Sequence, residues 1–329
     1  MPASPRQHPL VPPDAPAAPE GSLAIGLSAV IVAVTGDDPK VLAIRHADGR
    51  EALPSGPLER GHRTLETGLR NWVERQTLQV LGHVEQLYTF GDRDRGEDAA
   101  RSLSLAYLAL VREARPAGDA DAAWESWYRY FPWEDWREGR PAVLDILEPG
   151  LRAWAAAAAN ARSGEMRAER VTLCFGPGNG VGWNDERVLE RYELLYEAGL
   201  VAEALRERGS ARVALSTSGA EMTADHRRML ALAIARLRGK IKYRPVVFEL
   251  MPPSFTLLQL QRTVEALSGV RLHKQNFRRL IEQQRLVEET GEATSETGGR
   301  PARLVRFRRE VLLERPAPGV RLPGGGGRR

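Results

Sequence analysis

The stretch FTLLQLQRTVEALSGVRLHKQNFRRLIEQQRLVEETGEATSETGGRPARLVRFRRE, residues 255–310, decides the fold of the C-terminal part of this chain. Leu257, Leu260, Val264 and Leu267 recur at three- and four-residue spacing, the stripe of a helix with one buried face. Thr256 is placed to cap its start, and Ser268-Gly269 supplies a turn. A second helix starts near His273, with Phe277, Leu280 and Ile281 toward the core. That leaves Lys274, Gln275, Arg278 and Arg279 outside, with Asn276 in the first turn. Two short strands then flank a Gly-Gly-Arg-Pro-Ala-Arg loop. Helix, turn, basic helix and hairpin, in that order, predict a winged helix-turn-helix. The exposed side chains suit duplex DNA: Gln and Asn can pair with adenine, Arg with guanine, and Lys or Arg can hold phosphate. Arg300 and Arg303 are placed to contact backbone or a minor groove, and Thr256 joins the candidate DNA-contact set. The bland alternative is a protein-interaction module with a solvated basic helix.

Charge is distributed in the same sense. Residues 236–310 hold 16 Lys and Arg against 8 Asp and Glu, a net of +8 in a chain whose total is +4. A basic module on an acidic body is an electrostatic footprint for nucleic acid, although a solvated surface would look the same. The single cysteine, Cys174, excludes an internal disulfide framework and a multi-cysteine zinc site, and suits a cytoplasmic protein. No apolar run is long enough for a membrane span, and the proline-rich start has no signal-peptide core.

The 329 residues divide by pattern. Residues 1–20, rich in proline, are expected to be a disordered lead-in. Residues 21–150 form an α+β domain: an apolar strand at 23–34, a turn at 36–39, a strand at 40–45, a helix from about Thr64 to Gln79, and strands at 84–90 and 103–111. Residues 151–223 form a helical insert in which LRAWAAAAANA is a helix, VTLCF reads as a strand and 184–208 as one amphipathic helix. Residues 224–314 carry a linker helix at 224–242 and the winged helix, and 315–329 a flexible tail. GPGNGVG at 176–182 could cradle phosphate through backbone amides, but it is also an ordinary glycine-rich turn and lacks the lysine of a phosphate-binding loop.

Residues 56–78 align with the Nudix template G-x5-E-x7-R-E-U-x-E-E-x-G-U, where U is aliphatic. Gly56, Arg70, Glu74 and Leu78 match, and Trp72 is apolar at an aliphatic position. His62, Asn71 and Arg75 stand where the template has glutamates, and Thr77 where it has glycine. The template glutamates serve to hold divalent cations on a diphosphate, and magnesium wants hard carboxylate oxygens. One carboxylate of the cluster survives, and Arg75 would repel the cation. The expectation is a sensor with no catalytic residue, no metal site and no required cofactor.

Further stretches carry a resemblance: QLYTFGD at 86–92, SLAYLAL at 104–110, RLRGKIKYRPVVFEL at 236–250, and then FTLLQLQ, QNFRR and GGRPARLVRF. Together they resemble the Nudix-related transcriptional regulators of NAD metabolism, and in length and insert the longer alphaproteobacterial members. The resemblance implies a Nudix-like α/β/α sandwich followed by a winged helix. It implies a homodimeric repressor on palindromic operator DNA, released or engaged by NAD, ADP-ribose or ATP. Tyr88, Phe90 and Asp92 carry over as part of the ligand site, joined by Arg45, Arg70 and Glu74. Tyr88 or Phe90 could stack an adenine or could be plain core. Asp225-His226 resembles the Asp-His that opens the family's linker helix, with Asp225 a candidate cap and His226 a packed or capping residue. The rival expectation is an active Nudix hydrolase of ADP-ribose or NADH type with an accessory DNA module.

Overall fold

The computed structural model describes residues 24–46, 49–82, 84–91, 102–112, 121–176, 182–209, 218–295, 301–314 and 319–320. The apolar run at the start of the first domain becomes β1 (Ala24–Thr35), the centre of a mixed sheet. β1 turns into β2 (Asp38–Arg45) through Gly36 and Asp37, both in the left-handed region, which is the two-residue hairpin turn that matches strand twist. β3 (Glu51–Ala52) pairs with β2, and β4 (Ser55–Pro57) with β1. β6 (Ser102–Leu110) runs parallel to β1, and β5 (Val84–Phe90) pairs antiparallel with β6 around a bulge. β7 (Ala122–Ser126), which the sequence pattern did not predict, extends the sheet beyond β2.

Both faces of this sheet are covered, which explains why β1 reads as continuous rather than alternating hydrophobicity. One face carries α1 (Leu65–Thr77). Its Leu69 and Val73 pack on Leu27, Ala29, Ile31, Leu105 and Tyr107. Thr64 caps α1 by accepting from the Thr67 amide, and Leu78 ends it in the left-handed region. The opposite face carries α2 (Trp127–Tyr130), the 3-10 turn Pro132–Glu134 and α7 (His226–Tyr243). The α/β/α layering predicted from sequence is therefore present.

Between them lie α3 (Leu144–Ala156), α4 (Ala161–Phe175), α5 (Val188–Glu197) and α6 (Ala202–Glu207). VTLCF is the last turns of α4, not a strand. Val171, Cys174 and Phe175 turn inward at helical spacing, and Asn160 caps the helix through the Ser163 amide. The single helix expected over 184–208 is two, because Gly199 at φ +73° ends α5. The domain boundary expected at 150 falls inside α3. One hydrophobic core runs from β1 and β6 through α3, α5 and α7 into the winged helix.

His226 shows how tightly α7 is set against the sheet. Its Nδ1 accepts the Leu53 amide at 3.0 Å. Burial, with His46 nearby, pushes its pKa down to about 4. The folded state then takes up that proton later than the unfolded chain, whose histidine titrates near 6.5. Stability is thus fully present above pH ~6.5 and falls by up to about 3 kcal/mol as pH drops toward 4. Urea unfolding at pH 7 and 4.5 should show this loss in the wild type. The loss should be markedly smaller in His226→Gln, whose side-chain oxygen can accept the same amide.

Candidate functional site

In the C-terminal segment Thr256 and Gln259 form a reciprocal capping box at the start of α8 (Leu257–Ser268). Leu260, Val264 and Leu267 are fully buried. Gly269, at φ +75°, turns the chain toward α9 (Lys274–Gln284), which sends Phe277 and Ile281 inward. β8 (Val287–Thr294) and β9 (Ala302–Phe307) form the wing, and a bridge from Phe255 to Val305 ties it to α8.

Lys274, Gln275, Asn276, Arg278 and Arg279 all lie exposed on α9, with no side-chain partner among the described residues. They form one polar, cationic face of the size a major groove admits. Arg303 is exposed on β9 and pairs with Glu289 at 2.7 Å. An exposed pair of this kind contributes at most about 1 kcal/mol, so a phosphate can compete for the guanidinium. Arg300 lies outside the described residues. Thr256 is buried, and its hydroxyl accepts the Gln259 amide as the cap of α8. α8 itself is almost wholly buried, and its exposed Arg262 reaches back to Asp37 of the β1–β2 turn at 3.5 Å.

Around the Nudix stretch, Trp72 lies flat against Gly56, where a Cβ would come within 2.2 Å of its ring, and donates to the Pro57 carbonyl at 2.8 Å. The Arg75 guanidinium stacks on that indole, 4.5 Å from its centre. His62 is turned inward against Gly68 and accepts the Glu59 amide. Glu74 and Asn71 are exposed on α1. Arg70 pairs with Glu66 at 2.7 Å and donates to the Leu81 and Gly82 carbonyls, closing the loop after α1. Among the described residues no group of three or more His, Cys, Asp or Glu could hold a metal ion.

The other candidate ligand residues fall on the opposite face of the sheet. The bulge in β5 turns Tyr88 out to solvent, 59% exposed, while Phe90 is buried beneath it with the rings 5.4 Å apart, edge to face. Arg228 of α7 covers Phe90 at 5.2 Å and is held by Glu193 of α5. Tyr88 is thus free to stack a base, whereas Phe90 is core. Asp92 lies outside the described residues, as do 177–181 of the glycine-rich stretch. Arg45, at the end of β2, faces Glu51 and Glu125 at 3.7 and 3.9 Å in a cluster that also holds Arg129 and Tyr130. Sequence pattern did not reveal Arg228, Glu51 or Arg129, because their partners come from distant elements.

Residues 247–307 match the family model for the NrtR DNA-binding winged helix domain, from the 3-10 turn Val246–Leu250 to the end of β9. Residues 247–307 are thus similar to the NrtR winged helix, and the fold ahead of them is Nudix-like. Over 87 residues it is 41% identical to the ADPR responsive transcriptional repressor NtrR of Acinetobacter baylyi, a match spanning 26% of this chain and 34% of that relative. Shewanella oneidensis NrtR, solved in complex with a 27mer DNA, shares the fold at TM-score 0.53 and 20% identity, over 88% of this chain and 95% of that one. A MutT/nudix family protein from Enterococcus faecalis aligns at TM-score 0.52 and 17% identity, over 88% and 87%. Among the described residues no helix is long and apolar enough to cross a membrane.

Proposed function

We propose that the chain is a ligand-responsive transcriptional repressor of NAD-biosynthesis genes. Its winged helix reads operator DNA as a homodimer, and its Nudix-like domain senses an adenine-containing metabolite such as ADP-ribose, NAD or ATP without hydrolysing it. The observation that carries this is α9: five polar or cationic side chains, exposed together, on an NrtR-type winged helix. Lys274, Gln275, Asn276, Arg278 and Arg279 are the proposed groove contacts, with Arg303 on the backbone. Tyr88 is the proposed stacking platform for adenine. The sensor is proposed to span 21–150, the insert 151–223 and the reader 224–314.

The absence of hydrolysis is supported by Arg75. A divalent cation beside that guanidinium meets Coulomb repulsion of about 2 kcal/mol even in water at 4 Å, and more in a cleft. Trp72 fills the space above Gly56, and of the template carboxylates only Glu74 remains. An active hydrolase is the second reading, because Glu74 stays exposed on α1. Magnesium-dependent assays on ADP-ribose and NADH are expected to give no turnover. Robust turnover lost in Glu74→Gln would reverse the assignment.

Effector binding is tested by thermal unfolding with NAD, ADP-ribose, ATP and NMN. A true effector at 100 times its Kd should stabilise the protein by about 2.7 kcal/mol. No stabilisation by any of the four would remove the sensor from the account.

A further inference from the structure

The turn of the helix-turn-helix is not held by its own domain alone. Its last α8 carbonyls and Gly269 are gripped by residues 127–138, the segment that leaves the sensor sheet after β7. The Tyr128 hydroxyl donates to the Ala266 carbonyl at 2.7 Å, buried. The Trp136 amide donates to the Gly269 carbonyl at 2.7 Å. A Cβ on Gly269 would come within 2.3 Å of the Glu134 carbonyl, so the two backbones are in direct contact. On the surface, Arg271 of the turn pairs with Glu138 at 2.6 Å.

At the centre of this contact is Glu134, fully buried between two fully buried arginines. Arg191 of α5 donates to Oε1 at 2.6 Å and to Oε2 at 2.9 Å. Arg238 of α7 donates to Oε2 at 2.6 Å, and also to the Leu267 carbonyl of α8 at 2.9 Å. Arg191 also donates to the Cys174 and Asn184 carbonyls, and Arg238 to the Asp185 and Glu134 carbonyls. One carboxylate therefore joins the sensor, the insert, the linker helix and the turn that orients α9. A desolvated ion triad is a poor source of stability compared with apolar packing of the same volume. Its directional bonds do fix one geometry, and that is the property a reader helix needs.

We propose that Glu134, acting through Arg238 and seconded by Arg191, is a positioning residue for DNA recognition: it sets the helix-turn-helix turn, and with it α9, on the sensor. The insert then has a defined part, because α5 supplies half of the clamp. The DNA-binding half of the proposal rests on the proposed function; the clamp itself does not.

The test compares the full-length wild type with Glu134→Gln, Glu134→Asp and Tyr128→Phe by hydrogen exchange and by affinity for a duplex selected from a random library. In Glu134→Gln, amides of residues 134–138 and 266–284 are expected to exchange at least about tenfold faster, while β1 and β6 are unchanged. Duplex affinity falls at least about tenfold while ADP-ribose affinity holds, and Glu134→Asp recovers part of both effects. Uniform acceleration across the chain, or an unmoved turn, overturns the proposal. Should Glu134→Gln not fold, Tyr128→Phe decides: it removes only one hydroxyl, and faster exchange confined to the same turn supports the clamp, while no change overturns it. A wild type that binds no duplex sinks the proposed function and leaves the exchange pattern to judge the clamp.

Discussion

Replacing Arg278 and Arg279 together with alanine is expected to abolish specific DNA binding, with a loss of at least about thirtyfold in affinity at moderate salt. Each base-edge or phosphate contact by arginine is worth about 1–3 kcal/mol, and the two side chains project together from α9. Neither has a side-chain partner among the described residues, so their removal leaves no buried charge behind and the fold should stand. If both hold phosphate, the slope of log affinity against log salt should fall by about 1.8, from roughly 0.9 per phosphate. Fluorescence anisotropy over a salt series measures both quantities. Calorimetry with ADP-ribose on the same variant should give unchanged binding, because the proposed stacking residue Tyr88 is on β5 and the substituted arginines are on α9. Retained DNA affinity would remove α9 from the interface.

The second large effect concerns folding. Arg227, at the start of α7, is fully buried and pairs with Glu203 of α6, which is itself buried, at 3.0 Å. Its remaining donors serve the Tyr130 and Ser218 carbonyls, and Phe131, Trp133 and Tyr192 surround the guanidinium. Arg227→Met keeps most of the volume but leaves the buried Glu203 carboxylate without its cation, holding only the Met222 amide, and takes a donor from the Tyr130 and Ser218 carbonyls. Removing one partner of such a pair costs about 3–5 kcal/mol. Denaturant unfolding should show a loss of that size. Arg227→Met combined with Glu203→Leu should recover much of it, because the stranded charge is then gone. A loss under about 1 kcal/mol would mean that the pair is not desolvated in solution.

How much of this was legible in the sequence follows from the range of each interaction. The periodicities of α1, α8 and α9 are local, and so are the cap at Thr256 and the turn at Gly269. All of these could be read from neighbours within four residues. β7 could not, because AAWES has little alternation and becomes a strand only by pairing with β2, some eighty residues earlier. VTLCF looked like a strand because β-branched and aromatic residues crowd there, and only its inward spacing betrayed a helix.

The site divides in the same way. The exposed face of α9 follows directly from helical geometry. A template match, in contrast, fixes positions and not partners. Arg70 sits at a template position yet closes the loop after α1, and Phe90 matches its motif yet is buried below Tyr88. Glu134 gave no signal at all, since its two arginines lie 57 and 104 residues away.

The central claim is that one chain couples metabolite binding at the sensor to DNA binding at α9. The most direct measurement is the affinity of the full-length protein for its selected duplex, at fixed salt, with and without saturating ADP-ribose. A coupled sensor and reader should change that affinity by about 5- to 150-fold, and by linkage the duplex should change ADP-ribose affinity by the same factor. Tight ADP-ribose binding that leaves duplex affinity unchanged would contradict the account.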